Sequence, residues 1–134
     1  MRSATTTTLL ASLALLVQPG PMPGPDRPAD RSTWSETDWS AHLADQMGGV
    51  AEFRTPDGSR VDILTDEVAW EVDWCRSGKW AEGVGQALFY GLATNRQPGL
   101  ILLQKDPQAE RKFYLRALAV CGRYGITLRV VVAR

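Results

Sequence analysis

Residues 60–74 read RVDILTDEVAWEVDW. From Val68 to Trp74 the side chains Val68, Trp70, Val72 and Trp74 alternate with Ala69, Glu71 and Asp73, the period-two pattern of a strand with one buried face. Arg60 to Leu64 reads as the strand before it. A two-residue connection at Asp66-Glu67 would set Ile63 opposite Trp70, Val61 opposite Val72, Asp62 opposite Glu71 and Arg60 opposite Asp73. Apolar residues then share one side of the ribbon and charged residues the other. Asp-Glu lacks the ease of glycine at positive φ, so a slightly longer loop is also open. Upstream, Val50 to Arg54 reads as a strand and Pro56-Asp57-Gly58-Ser59 as a turn, which completes a β-hairpin with the Arg60 strand.

Outward from this meander, Thr33 and Glu36 have the spacing of a capping box and open a helix through about Gln46, with Trp34, Leu43 and Met47 inward and Gly48-Gly49 at its end. A second helix is expected from about Gly78 to Thr94, with Pro98 preventing its continuation. Leu100 to Leu103 is fully apolar, as in a central strand covered on both faces. Asp106-Pro107 supplies an N-cap and first-turn proline for a helix through about Cys121, closed by Gly122, and Ile126 to Val132 is the last strand. The order is αβββαβαβ, a mixed α/β fold around one sheet. Trp39, Trp70, Trp74 and Trp80 read as core or strand-face aromatics, since nothing in the sequence places them in an open groove for base stacking.

The chain has 134 residues, 44% hydrophobic and 22% charged, which suits one domain. Two cysteines, Cys75 and Cys121, and one histidine, His42, exclude a disulfide-dense scaffold, a four-cysteine zinc site and histidine-cluster metal chemistry. Fifteen basic and fifteen acidic residues cancel overall. Yet Glu36 to Glu82 holds eleven acids and four bases, net −7, and Lys105 to the end is net +5. These halves read either as solvated faces whose attraction aids folding or as functional surfaces. Residues 1–31 read as a leader outside the domain of 32–134. Leu9 to Val17 is apolar and of signal-peptide length, too short to span a bilayer, and is followed by a Pro/Gly-rich stretch. Export and a disordered tail on a cytoplasmic protein both fit; export would permit a Cys75–Cys121 disulfide, and no stable membrane insertion is expected once the leader is removed.

Carboxylates are therefore the available chemistry. Asp62 and Glu71 across a strand pair repel unless a positive group lies between them. Mg²⁺ (or Mn²⁺) meets that need, since it is held by one or two carboxylates plus waters and substrate phosphate; protonation, or neutralisation by Arg60 and Lys79, is the alternative. At about 100° per residue, Lys79, Glu82, Gln86 and Tyr90 form one helical stripe and Trp80, Val84, Leu88 and Gly91 a neighbouring apolar one. The polar stripe would begin over the carboxylates with Lys79 nearest, to stabilise developing negative charge, and Gln86 to hold substrate or water. The other reading is a solvated amphipathic helix.

RVD at 60–62, EVD at 71–73, KWAE at 79–82 and GQ at 85–86 together resemble the PD-(D/E)XK nuclease superfamily, above all its small bacterial and phage members. The resemblance covers about Trp34 to the C-terminus. It implies a restriction-endonuclease-like αβββαβ core, a mixed central sheet flanked by helices, here with an extra C-terminal strand. It further implies a metal-dependent nuclease acting on DNA, with Asp62 and Glu71 binding catalytic Mg²⁺ or Mn²⁺. Gln86 and Tyr90 are similar to the QxxxY signature of the RecB-like branch, which assigns them to the active site or DNA contact. The pattern departs at Asp73, where the superfamily has its lysine. Lys79 then reads as a relocated catalytic lysine, and Asp73 as a third metal ligand or a partner of Arg60. Glu36 is near the site without an assigned role. Arg111, Lys112 and Arg116 read as phosphate contacts or as solvated helix charge, and a homodimer is compatible. The competing readings are a degenerate nuclease fold kept for nucleic-acid or protein binding, and an exported domain whose carboxylates hold structural Ca²⁺.

Overall fold

In the computed structural model, which describes residues 30–134, five strands form one sheet in the order β1-β2-β3-β4-β5. β1 (Val50–Arg54), β2 (Arg60–Leu64) and β3 (Val68–Trp74) are an antiparallel meander, while β4 (Gln97–Gln104) and β5 (Thr127–Val132) continue parallel to β3. Helix α1 (Glu36–Met47) precedes β1, α2 (Lys79–Thr94) joins β3 to β4, and α3 (Arg111–Tyr124) joins β4 to β5. The expected αβββαβαβ order is the observed one. The leader read at 1–31, including its apolar run at 9–17, lies outside the described residues except for its last two positions.

Period two along the central strands divides the core between two layers. Ile101 and Leu103 of β4 join Trp70, Val72, Ile63 and the α1 residues Trp39, Leu43 and Ala44, with Trp34 beside them. Leu100 and Leu102 face the other way, into a cluster with Ala87, Ala117, Cys121, Cys75 and Ile126 under α2 and α3. Cys75 and Cys121 are free thiols. Burial pushes both thiol pKa values up.

Local chemistry moves three boundaries from their expected places. The capping box is Ser35 with Asp38, not Thr33 with Glu36: Ser35 Oγ accepts from Asp38 N–H and the Asp38 carboxylate from Ser35 N–H. Thr33 instead donates its hydroxyl to Asp30 O within a preceding 3₁₀ turn, Arg31–Thr33. Asp106 does cap, accepting from the N–H groups of Gln108 and Ala109, but it caps a separate turn. The α3 helix begins after that turn, at Arg111, runs through Gly122, and ends at Gly125 in the left-handed region (φ 67°).

The buried face of α2 is also rotated from expectation. Gly83, Ala87 and Gly91 are buried, whereas Leu88 is 43% exposed and Leu92 81% exposed. Small residues on this stripe let α2 lie directly on β3 and β4. A Cβ at Gly83 would stand 2.9 Å from Leu100 Cδ1, and one at Gly91 would stand 3.0 Å from Arg96 O. Ala87→Leu therefore costs about 1–3 kcal/mol by overpacking, read as a lower urea midpoint, while Leu92→Glu leaves the midpoint within about 0.5 kcal/mol of wild type.

Candidate functional site

The connection between β2 and β3 is the two-residue one: Thr65 N–H donates to Val68 O at 3.0 Å around Asp66-Glu67. Ile63 opposes Trp70 and Leu64 opposes Ala69, in the expected register. The ladder goes no further. Val72 N–H donates to the Asp62 carboxylate (Oδ2, 2.8 Å). The β1–β2 ladder likewise pairs Ala51 with Ile63 and Phe53 with Val61 but omits Glu52 and Asp62. Glu52 lies in the left-handed region at φ 56°, an interruption with no signal in the sequence. Asp62 thus occupies a local opening of the sheet, and its side chain takes a hydrogen bond from the backbone of β3.

Around that opening lies a cleft of about 400 Å³ lined by acids from four elements: Glu36 of α1, Asp62 of β2, Glu71 and Asp73 of β3, and Glu82 of α2. Arg60, Lys79, Gln86 and Tyr90 line it too. Every residue expected in the site is present, but the partners differ. Arg60 binds Glu52 (Nε–Oε2 2.7 Å), not Asp73. Lys79 Nζ binds Glu82 Oε2 at 3.3 Å rather than lying nearest the carboxylates. From α2 it is Gln86 that reaches them: with its carboxamide assigned so that the nitrogen faces Glu71, that nitrogen donates to both Glu71 oxygens, Oε2 at 3.3 Å. The close seating of α2 on its small residues makes this reach possible.

Glu71 and Asp73 are both buried. Among the described residues no Lys or Arg forms an ion pair with Glu36, Asp62, Glu71 or Asp73. Burial is the main cause of the raised pKa at each. Glu71 is pushed up to about 10 by burial and then by the Asp62 charge, with which its carboxyl is in hydrogen-bonding contact. Asp73 is pushed up to about 6 despite accepting from Trp74 N–H at 2.8 Å, a bond that favours its charged form. The Asp73 and Glu36 carboxyls lie close enough for each to shift the other's pKa. Tyr90 is held protonated, its pKa pushed up to about 12 by burial and by Glu71. At neutral pH the Asp62–Glu71 pair retains a proton when no cation is bound.

The donor set suits a hard cation: oxygen ligands, desolvated and, among the described residues, not ion-paired to a Lys or Arg. Among the described residues no three His, Cys, Asp or Glu side chains are arranged as a group that could hold a metal ion. Mg²⁺ does not require one, since two carboxylates with waters and substrate phosphate are its usual support. Asp62 and Glu71 are the residues that would hold it. Asp73, expected as a third ligand or a partner of Arg60, lines the same cleft with Oδ1 accepting from Trp74 N–H.

The structure brings Asp62, Glu71 and Gln86 into one cleft, while the sequence reading gave Glu36 no role and missed its closeness to Asp73. The one available signal was an acid in the first turn of α1. Comparison of the chain with protein-family models, with curated proteins and with solved structures finds no match.

Unfolded Glu71 ionises near 4.5 and folded Glu71 near 10. Between these values the folded state binds more protons, so metal-free stability falls as pH rises, by up to about 1.4 kcal/mol per unit. Glu71→Gln keeps the neutral shape without that cost. It is expected to raise Tm by several degrees in EDTA at pH 8 and to lose the advantage near pH 4, as measured by thermal melts across that range.

Proposed function

We propose that the protein is a divalent-metal-dependent hydrolase of DNA phosphodiester bonds, with Asp62 and Glu71 as the residues that hold Mg²⁺ or Mn²⁺. The observation that carries this reading is the desolvated Asp62–Glu71 contact, in which, among the described residues, neither carboxyl is ion-paired to a Lys or Arg. A fold seldom keeps two desolvated carboxyls together for stability alone, because the arrangement costs more than an apolar pair. The αβββαβ order agrees with the core that the resemblance to PD-(D/E)XK nucleases implies, and the carboxylates lie on the strands that the resemblance names.

Bound at this pair, the ion supplies Lewis-acid polarisation of a phosphoryl oxygen and neutralises charge that develops there. The remaining work belongs to the chain. Gln86 fixes the orientation of Glu71 by donating to both of its oxygens. Lys79, exposed at the mouth beside Glu82, is the cation available to a phosphate entering the cleft. Tyr90, kept protonated, supplies an O–H donor on the same wall. Asp73 stands where the superfamily has a lysine, so charge stabilisation falls to Lys79 in this scheme. Because Lys79 is bonded to Glu82 and not to the carboxylates, the second reading keeps its place: a nuclease-like domain without catalysis that binds nucleic acid or protein. Among the described residues no helix is long and apolar enough to cross a membrane.

Incubation of the full chain with linear, circular and single-stranded DNA in Mg²⁺, Mn²⁺ or EDTA tests the proposal. Metal-dependent cleavage is expected. Asp62→Asn should abolish it while remaining folded, since asparagine still offers an oxygen to Val72 N–H. Gln86→Ala should lower the rate about 10–100-fold, as expected when the group orienting a metal ligand is lost. A folded wild-type protein that cleaves none of these substrates and gains no thermal stability from Mn²⁺ would favour the binding-only reading.

A further inference from the structure

A second cleft, of about 380 Å³, is lined by Trp34, Ser35, Trp74, Arg76, Lys105 and Glu110. It meets the carboxylate cleft at the start of α1, where Ser35 of one lining immediately precedes Glu36 of the other, while Trp74 follows Asp73 at the end of β3 with its side chain on the opposite face of the strand. The Arg76 charge is felt at Glu36, which ties the two spaces together electrostatically. Their chemistry is opposite. Beside the acids stand two exposed cations and an aromatic ring, with Lys105 Nζ 4.8 Å from the Trp74 ring centroid.

Trp74 was expected to be only a core or strand-face aromatic. It does pack against the α1-side core, but it is half-buried and forms part of the cleft wall. Glu110 adds an independent feature. Its Oε2 is buried with no hydrogen-bond partner among the described residues. A buried acceptor without a partner asks for an N–H donor. Two cations, one aromatic wall and one orphaned acceptor match the phosphate, the ring face and the N–H edge of a nucleotide. In a duplex the ring faces are stacked on neighbours and the N–H edges are paired, so an unpaired strand offers all three.

We infer that this cleft takes an unpaired nucleotide of the strand whose phosphodiester lies at Asp62 and Glu71, with its phosphate on Arg76 and Lys105 and its base against Trp74. The inference rests on the proposed function and narrows its substrate to single-stranded DNA or strand ends.

Fluorescence anisotropy of a labelled thymidine oligonucleotide of about 12 nucleotides, and of its duplex, with the full chain tests it, in EDTA and again in Ca²⁺. The single strand is expected to bind about tenfold more tightly than the duplex. Arg76→Ala and Lys105→Ala, both surface changes, are each expected to weaken single-strand binding about tenfold and to lower the log–log salt slope by about 1. Trp74→Phe should retain most of the affinity that Trp74→Ala loses. Unchanged binding by the Arg76→Ala/Lys105→Ala double variant, or a preference for duplex, overturns the inference. If that variant also cleaves DNA as wild type does, the nuclease reading stands without the pocket. If wild type binds single strands through these two residues yet cleaves no DNA, the pocket stands and the nuclease reading falls.

Discussion

The hydrogen bond from Val72 N–H to the Asp62 carboxylate governs the rest of the site. In an uninterrupted antiparallel pair that amide would face a carbonyl or solvent. Here a side chain takes it, which draws Asp62 into the sheet and separates β2 from β3 beyond Ile63 and Trp70. The same act strips the carboxylate of water and brings it against Glu71. β3 tolerates the gap because its other edge is paired with β4 along its whole length, from Val68 with Gln97 to Trp74 with Leu103. One edge of the strand is locked while the other is opened, and Glu71 and Asp73 are presented from the locked strand. Rigid backbone under reactive groups is what a preorganised site requires.

The second constraint is the distance at which α2 rests on that strand. Gly83, Ala87 and Gly91 carry almost no side chain, so the helix axis comes close and a residue as short as glutamine spans the remaining gap. With leucine-sized residues on this face the helix would ride higher and Gln86 would fall short of Glu71. The small-residue face thus connects core packing to the orientation of a carboxylate.

Much of this was legible in the sequence. Alternation from Val68 to Trp74 and a two-residue turn at Asp66-Glu67 lead to the Ile63–Trp70 pairing that the structure has and put Asp62 near Glu71, although the ladder ends before the expected pairings of Val61 with Val72 and Arg60 with Asp73. The rotation of α2 was not legible, because hydrophobic periodicity follows Trp80, Val84 and Leu88, whereas glycine and alanine contribute little to such a signal. With the helix turned, Gln86 rather than Lys79 meets Glu71. Ser35 and Thr33 both satisfy the capping pattern, and only the 3₁₀ turn held by Asp30 decides between them. The break at Glu52 has no local cause at all: a glutamate at φ 56° is an ordinary β1 residue by every sequence criterion. Trp74 was underestimated because exposure of a strand's last residue depends on what the next loops leave uncovered.

That break at Glu52 bears on more than the opening beside Asp62. β1 is an outer strand of the sheet, and outer strands present unpaired amides and carbonyls on which another chain can assemble. A left-handed residue in the middle of five interrupts the straight run of groups such an assembly needs, and the Glu52–Arg60 ion pair puts charge on it. The opposite border, β5, has no comparable interruption and exposes Val130 and Val132. Resistance to fibrous self-association is therefore built into one margin of the molecule and is weaker at the other.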